Sequence, residues 1–254
     1  MPKVVEFQEV EKRYGEGPLI LDRLSFAAEK GDFISVIGPS GCGKSTVLKL
    51  IAGLSPLSGG SLTIEDTTPA NATDEIAFVF QEPTLLPWLT VQKNVEIPLR
   101  LRGISAGRRR EAAANVLARV GLSEHAGYYP RQLSGGQKMR VSIARALSLS
   151  PKILLLDEPF GALDEMARDH LNEELLALRE QKAWTAFFVT HSVAEAVFLS
   201  NRILVLSANP GRLYREISVD LPYPRTKETR QSSVYQQQVS DASRLLRSVE
   251  DDRL

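Results

Sequence analysis

The stretch DFISVIGPSGCGKSTVLKLIAGL, from Asp32 to Leu54, contains the change of pattern that decides the fold. Its first part, Asp32 to Gly38, is short, apolar and β-branched, which predicts a buried strand that runs into a glycine-rich loop. The part that begins at Ser45 predicts a helix. A strand that passes through such a loop directly into a helix is typical of α/β proteins, and the loop is a candidate anion-binding site.

The loop at residues 38–46 fits the phosphate-binding pattern G-x-x-x-x-G-K-[ST]. Its backbone N–H groups and the start of the helix are expected to form an anion nest. Lys44 is expected to reach the outer phosphates of a nucleotide, and the Ser45 hydroxyl is expected to ligate Mg²⁺. The residues predicted to contact nucleotide here are Gly38, Pro39, Ser40, Gly41, Cys42, Gly43, Lys44, Ser45 and Thr46.

Four more short apolar runs predict strands, and helical stretches separate them. They are EIAFVFQ (Glu75 to Gln81), KILLLDE (Lys152 to Glu158), TAFFVTH (Thr185 to His191) and RILVLS (Arg202 to Ser207). This alternation predicts a mostly parallel sheet that is covered on both faces. Ligands of such sheets bind at the carboxyl ends of the strands, where four of the five runs supply a polar side chain or a glycine-rich turn.

The run ILLLDE supplies two adjacent carboxylates at the end of a buried strand. Asp157 is expected to lie beside the metal and to hold it directly or through water. Glu158 is one residue further and points elsewhere, toward the position of a water that attacks the γ-phosphate. Together with the loop at residues 38–46, these carboxylates predict a nucleoside triphosphatase.

Residues outside these strands indicate the organisation of the domain. KVVEFQEVEKRYG and LDRLSFAAEKGD predict antiparallel strands near the start, and helical patterns dominate at about residues 82–150. We predict a single domain over residues 1–221 with that helical insertion. After Pro222 the chain is polar and rich in glutamine, which predicts a short helix and tail over residues 222–254. In the roughly 35 residues after Val219, an added regulatory domain of the size found in some related proteins is not expected.

Composition excludes several classes of protein. The 31 Lys and Arg residues balance 31 Asp and Glu residues, which argues against a nucleic-acid coat protein or a polybasic membrane binder. No apolar run approaches the roughly 18 residues that a membrane span needs, and the start lacks the pattern of a signal peptide. Cys42 is the single cysteine, so neither an internal disulfide nor a cysteine-based zinc site is expected. We interpret Cys42 as a small residue that fits the loop, with a redox switch as the alternative hypothesis.

A second glycine-rich turn precedes a helix in YPRQLSGGQKMRVSIARAL, residues 129–147. Ser134 is predicted to cap this helix, and Met139, Ile143 and Leu147 form an apolar stripe at a spacing of four residues. From these residues alone, the turn is either a simple capped turn or a second phosphate-binding site.

The motifs GPSGCGKST, LSGGQ, ILLLDEP, GALD and VTH occur in this order, and over roughly residues 3–215 the chain resembles the nucleotide-binding subunit of an ATP-binding-cassette (ABC) transporter. The resemblance implies a P-loop ATPase core with a mostly parallel sheet, an N-terminal antiparallel β subdomain and an inserted helical subdomain. It also implies a head-to-tail dimer, in which the signature loop of each subunit binds the γ-phosphate that the P-loop of the other subunit holds. The signature residues are Ser134, Gly135, Gly136 and Gln137.

The resemblance assigns roles to four further residues. Tyr14 is similar to the aromatic residue that stacks on adenine, with an ordinary sheet tyrosine as the alternative. Gln81 is similar to the glutamine that touches Mg²⁺ and the attacking water. Asp164 in GALD belongs to the loop that crosses the dimer interface. His191 is similar to the histidine that contacts the γ-phosphate and orients the water together with Glu158.

An apolar stretch, EPTLLPWLTVQKNVEIPL (residues 82–99), follows Gln81. Its residues Leu85, Leu86, Trp88 and Leu89 belong either to the core or to a docking surface for a membrane partner, and the position after Gln81 favours docking. With HSVAEAVFLSNRILVLSANPGRL (residues 191–213), the LLPWLTV segment resembles the ATPases of nitrate, sulfonate and taurine importers, a group that includes thiamine-precursor systems.

The resemblance therefore implies an ATPase that uses ATP and Mg²⁺ to power an importer. Its expected partners are a second, identical ATP-binding subunit, membrane-spanning permease subunits and, indirectly, a solute-binding protein, with no nucleic acid. The expected location is the cytoplasmic face of the cell membrane. The alternatives are an exporter ATPase, which shares the catalytic residues, and an ABC ATPase that is not engaged in transport.

Overall fold

The computed structural model of the protein describes residues 2–181 and 184–251. The strands are β1 (Lys3–Arg13), β2 (Leu19–Glu29), β3 (Phe33–Ile37), β4 (Gly59–Ile64), β5 (Ile76–Val79), β6 (Ile153–Asp157), β7 (Thr185–Val189), β8 (Arg202–Leu206) and β9 (Leu213–Ser218). The helices are α1 (Lys44–Ile51), α2 (Val91–Leu101), α3 (Ala106–Arg119), α4 (Gly135–Leu147), α5 (Glu165–Gln181), α6 (Val193–Leu199), α7 (Lys227–Gln231) and α8 (Ser233–Asp251).

The central sheet has the strand order β5-β6-β7-β3-β8-β9. Its first five strands are parallel, and β9 joins β8 in the antiparallel sense. All residues of β3 and β7 are buried, as expected for parallel strands that have both faces covered. The five strands predicted from apolar runs are confirmed, and the carboxyl ends of β5, β6, β7 and β3 lie side by side.

A smaller antiparallel sheet, β2-β1-β4, covers one side of the central sheet. The stacked rings of Phe7 and Phe26, 4.4 Å apart, belong to the core between the two sheets, and Phe26 also contacts Phe187 of β7. The prediction of N-terminal antiparallel strands is confirmed for β1 and β2. Strand β4, which was not predicted, begins with two glycines and buries only Leu62 and Ile64.

Helices α2, α3 and α4 occupy the chain between β5 and β6. Their apolar faces meet through residues such as Val95, Leu117 and Met139, which join the core cluster that lies under the central sheet. The three helices lie where the sequence predicted that helical patterns dominate. The limits of a helical insertion at about residues 82–150, within a domain over residues 1–221, stay a prediction.

The C-terminal region is more ordered than the predicted short helix and tail. Helix α8 has 19 residues and buries Tyr235, Ala242 and Val249 against the core. The Tyr235 hydroxyl donates to the carbonyl of Ala194 in α6 at 3.0 Å. The apolar residues recur every three to seven positions among glutamines and charges, so the polar composition concealed an amphipathic helix.

Among the described residues, no helix has the combination of length and hydropathy that a bilayer span requires.

Candidate functional site

The P-loop connects β3 to α1, as the sequence predicted. Gly43 precedes α1 with φ 93°, and a Cβ atom there would lie 2.6 Å from Cδ2 of Leu21. Both the backbone conformation and the lack of space therefore require glycine. Lys44 begins the helix, and its ammonium group donates to the carbonyls of Gly38 at 2.9 Å and Pro39 at 3.1 Å. The ammonium is thus held at the mouth of the loop, where it can turn toward phosphate oxygens.

A cavity of about 380 Å³ lies over this loop. Tyr14, Ile20 and Glu158 line it together with the P-loop residues Ser40, Gly41, Gly43, Lys44, Ser45 and Thr46. Its volume is in the range of small-molecule binding sites. The fold therefore brings together three separately predicted features: the P-loop, the aromatic residue near the start and the carboxylate after β6.

Tyr14 lies just after β1 and exposes 48% of its surface. The Lys12 ammonium is 4.5 Å from the centre of its ring. Because the ring lies at the cavity rather than inside the sheet, the structure favours a stacking surface for a nucleotide base over an ordinary sheet tyrosine.

Asp157 ends β6 and accepts a hydrogen bond from the Ser45 hydroxyl at 2.8 Å. The pKa of the Asp157 carboxyl is raised above its ordinary value. Burial is the main cause and the charge of Glu158 adds to it, whereas the hydrogen bond from Ser45 opposes them. A cation at this point would offset both the cost of burying the Asp157 charge and its repulsion with Glu158. The described residues contain no cluster of three or more His, Cys, Asp or Glu side chains that could hold a metal alone. One hydroxyl and one carboxylate fit Mg²⁺, which keeps water and phosphate oxygens as its other ligands.

Gln81 lies two residues after β5 and is exposed. It is not among the residues that line the P-loop cavity. The described conformation therefore does not bring the predicted metal- and water-contacting amide to the rest of the site.

Glu158 and His191 lie side by side, as the resemblance implied. His191 Nδ1 is 3.4 Å from Glu158 Oε2, and the side chains are 58% and 26% exposed, respectively. The Glu158 backbone has φ 45°, a conformation that is uncommon outside glycine, and its N–H donates to the carbonyl of Val189 in β7. Local strain of this kind is concentrated at functional sites, and here it aims a carboxylate into the cavity.

The signature residues line a different cavity, of about 500 Å³, which shares no lining residue with the P-loop cavity. Ser134 Oγ accepts from the N–H of Gln137 at 3.2 Å, and Gln137 Oε1 accepts from the N–H of Ser134 at 2.9 Å. This capping box confirms that Ser134 caps α4. Met139, Ile143 and Leu147 are buried, which confirms the predicted stripe.

Asp164 also lines the signature cavity. Its carboxylate accepts from the N–H of Ala167 at 3.0 Å and so caps the start of α5. Apart from Gln81, the predicted site residues therefore fall into two groups on one chain: the P-loop group with Glu158, and the signature group with Asp164.

No sequence pattern predicted the segment that supports the P-loop from behind. Gly211 donates to the carbonyl of Ile20 at 2.8 Å and accepts from the N–H of Asp22 at 2.9 Å. Arg212 Nε donates to the Asp22 carboxylate at 2.7 Å. A Cβ atom on Gly211 would lie only 2.1 Å from the carbonyl oxygen of Cys42. Cys42 itself is fully buried, which favours its interpretation as a small residue that fits the loop.

Comparisons with known proteins identify the family of the chain. The chain matches the family model described as ABC transporter over residues 21–161. A putative ATP-binding protein of Brucella abortus is 47% identical over 232 residues, which cover 91% of this chain and 89% of that relative. An aliphatic sulfonates import ATP-binding protein of Bacillus cereus is 46% identical over 208 residues, which cover 82% of each chain.

Two solved structures have similar folds. The dimeric, post-hydrolysis structure of the ATP-binding cassette MJ0796, bound to ADP and Pi, is 34% identical, covers 86% of this chain and 100% of its own, and has a TM-score of 0.75. The cbiO1 structure from Clostridium perfringens, at 22% identity, covers both chains fully with a TM-score of 0.81 and supports the fold. The chain belongs to the ABC transporter family, and it is an ATP-binding, ATP-hydrolysing subunit with the fold of an ABC cassette.

Proposed function

We propose that the chain powers a membrane importer for a small anion of the sulfonate, nitrate or taurine type, and that it works as a pair of identical subunits. The observation that carries the pairing is the separation of the two cavities on one chain. Support for import comes from the relatives named as aliphatic sulfonates import ATP-binding proteins, at 44% to 46% identity.

Within one subunit, the P-loop amides and Lys44 would bind the β- and γ-phosphates, and Tyr14 would stack on adenine. Mg²⁺, which Ser45 and Asp157 would hold, supplies neutralisation of phosphate charge. Glu158 orients the attacking water and accepts its proton, and His191 supports it from 3.4 Å. Gln81 would have to move toward this site on closure, since it is exposed in the described conformation.

The signature group has the properties of an anion site for a second chain. The amides of Gly135 and Gly136 are the first two of α4, where no intrahelical carbonyl is available to them. The Ser134 hydroxyl accepts from Gln137, so its own hydrogen remains available to donate to a phosphate oxygen. With Asp164 beside them, these groups would complete the site of the facing subunit in a head-to-tail dimer.

The segment after Gln81 is the proposed docking surface for a permease. Trp88 is 69% exposed, whereas Leu85 packs against the core. The Asn94 side chain bonds backbone groups of residues 86, 89 and 90, and Arg145 donates to the carbonyls of residues 83 and 84. An apolar ring on a rigid, solvent-facing loop fits a partner better than a core. Docking there would hold the subunit at the cytoplasmic face of the membrane, and a solute-binding protein would act through the permease.

A Glu158→Gln variant tests the pairing. We expect it to bind ATP, to form a dimer by light scattering in Mg·ATP, and to hydrolyse ATP at least about 100-fold more slowly than the wild type. The matched control adds Lys44→Ala to the same chain, which should lose ATP binding and stay monomeric. A Glu158→Gln chain that stays monomeric in saturating ATP would contradict the head-to-tail pairing.

The same variant tests the transport function in native membranes. Tagged Glu158→Gln protein, trapped in ATP, should co-purify with a multi-span permease, and a solute-binding protein associated with that permease would indicate import. A permease without such a protein would favour an exporter. Recovery of the chain alone or with soluble factors would overturn the transport proposal, but it would not contradict the assignment of the chain as an ATPase.

A further inference from the structure

A buried carboxylate lies directly behind the His191 loop. Glu195 is on α6, four residues after His191, and is 5% exposed. Its Oε2 accepts a hydrogen bond from the Thr190 hydroxyl, and the same hydroxyl oxygen accepts from the N–H of Ser192 at 3.0 Å. The N–H of Glu195 in turn donates to Ser192 Oγ at 3.3 Å. Both neighbours of His191 are thereby tied to Glu195: Thr190 by the carboxylate, and Ser192 by the backbone N–H of Glu195 and by the Thr190 hydroxyl.

The other carboxylate oxygen of Glu195 faces helix α5. Arg168 Nε lies 3.7 Å from Glu195 Oε1. Arg168 Nη2 donates to the carbonyl of Leu163 at 3.0 Å, and its backbone N–H donates to the carbonyl of Asp164. One arginine therefore connects the loop that carries Asp164 to the carboxylate that holds the His191 loop.

Burial of this carboxylate is energetically costly. Burial raises the pKa of Glu195, whereas the Thr190 hydrogen bond and the charges of Arg168 and His191 lower it. Buried ion pairs contribute little net stability compared with apolar residues of similar size, so stability alone is a weak reason for a charged pair here. Within one chain the pair joins two loops of the proposed site, one lining the signature cavity and the other flanking Glu158.

We propose that Glu195 is a positioning residue that, through Arg168, couples the Leu163–Asp164 loop to His191. When a second subunit packs against Asp164, the arginine and carboxylate transmit the position of that loop to the imidazole beside Glu158. This inference rests on the proposed pairing of two subunits. It adds a path within each chain by which pairing sets the geometry of hydrolysis.

The test is a set of mutant cycles on the full chain. Glu195→Gln retains an oxygen that can accept from Thr190 but removes the charge that faces Arg168, and Arg168→Met removes the guanidinium from the other side. We expect each change to lower kcat about 10-fold, with the KM for ATP changed by less than 2-fold. The double variant should be no slower than either single variant, because both changes interrupt the same connection.

A His191→Ala background distinguishes positioning from a general structural defect. In single-turnover hydrolysis, adding Glu195→Gln to His191→Ala should cause no further loss, whereas a structural defect would lower the rate again. The matched control is Asp32→Asn, a carboxylate with an exposure of 9% that pairs with Arg202 at 2.6 Å, at the opposite end of β3 from the P-loop. It should leave kcat unchanged.

The outcomes separate this inference from the proposed function. Additive losses in the cycles, or a further loss in the His191→Ala background, overturn the coupling even if Glu158→Gln forms its ATP-dependent dimer. A monomeric Glu158→Gln chain overturns the pairing itself. If Glu195→Gln fails to fold, Arg168→Met carries the test, because the arginine side chain is 25% exposed and the Glu195 carboxylate that it leaves without a cation still accepts from the Thr190 hydroxyl.

Discussion

Gly211→Ala tests whether the segment behind the P-loop sets the geometry of ATP binding. The added Cβ would lie 2.1 Å from the carbonyl oxygen of Cys42 and 3.0 Å from Cδ2 of Leu21. The first of these is a P-loop backbone atom, so no side-chain rotation relieves the contact. Gly211 is not among the glycines with positive φ, so alanine is compatible with its backbone and the effect is purely steric.

The required displacement follows from the distances. Moving from 2.1 Å to 3.0 Å, the shortest separation that real Cβ atoms tolerate, needs 3.0 − 2.1 = 0.9 Å. Gly211 cannot retreat freely, because it exchanges hydrogen bonds with Ile20 and Asp22 of β2. The P-loop must therefore give way by a substantial part of that distance. In enzyme sites, misplacement of a functional group by about 1 Å lowers the rate by about 100-fold, and overpacking lowers stability by about 1–3 kcal/mol.

We expect Gly211→Ala to raise the Kd for ATP by about 10- to 100-fold. The Kd is measured by calorimetry in the absence of Mg²⁺, so that ATP is not hydrolysed during the titration. Gly107→Ala is the matched control, since a Cβ there meets nothing within 4 Å and lies in the first turn of α3. It should leave the Kd unchanged and stabilise the helix slightly. A Gly211→Ala protein with a Kd within 2-fold of the wild type would refute the reasoning.

Two further predictions concern charge and docking. The pKa of Asp157 is raised above its unfolded value, so its ionised form destabilises the fold and stability falls as the pH rises through the interval between the two values. Asp157→Asn should therefore raise the Tm of the nucleotide-free protein at pH 7 by a few degrees while it reduces ATPase activity; a lower Tm would contradict this. Trp88→Ser should leave the Tm and the ATPase activity of the isolated subunit unchanged but reduce co-purification of the permease. The control is Val234→Ser, which replaces an exposed apolar residue on α8 and should not reduce co-purification. Unchanged permease recovery with Trp88→Ser would exclude this residue from the docking surface.

The strands that were predicted most clearly from the sequence are those whose residues are nearly all buried. Strands β3, β6 and β7 are buried on both faces, so each appears in the sequence as a continuous apolar run that indicates a buried strand. Strand β9 (LYREIS) lies at the edge of the sheet and has no buried residue, and it was missed. Helix α8 was underestimated because its apolar residues are dispersed among polar ones, and only packing against α6 reveals which face is buried.

For the site, a local motif predicted the P-loop, because it carries its own chemistry at fixed spacing, whereas the family resemblance implied that His191 acts together with Glu158. The close approach of Gly211 to Cys42 could not be predicted in this way. It depends on how the segment just before β9 packs against β2 and the P-loop, and no local pattern records it. The connection from Arg168 to Glu195 is of the same kind, since it joins two helices whose sequences are otherwise ordinary.

The two cavities account for the dependence on a partner that the proposed pairing implies, although Lys44, Ser45 and Glu158 lie together on one chain. Lys44, Ser45 and Glu158 line the P-loop cavity, but the cavity is open to solvent on one side. Hydrolysis gains from exclusion of bulk water and from positive dipoles aimed at the γ-phosphate, and one chain supplies neither on that side. The start of α4 offers such dipoles, yet on the same chain they line a different cavity. On the proposed pairing, closure brings them to the phosphate and moves the Asp164 loop in the same step. A link from that loop to His191 would then make the position of the imidazole depend on closure, so that ATP bound to an unpaired subunit is hydrolysed slowly.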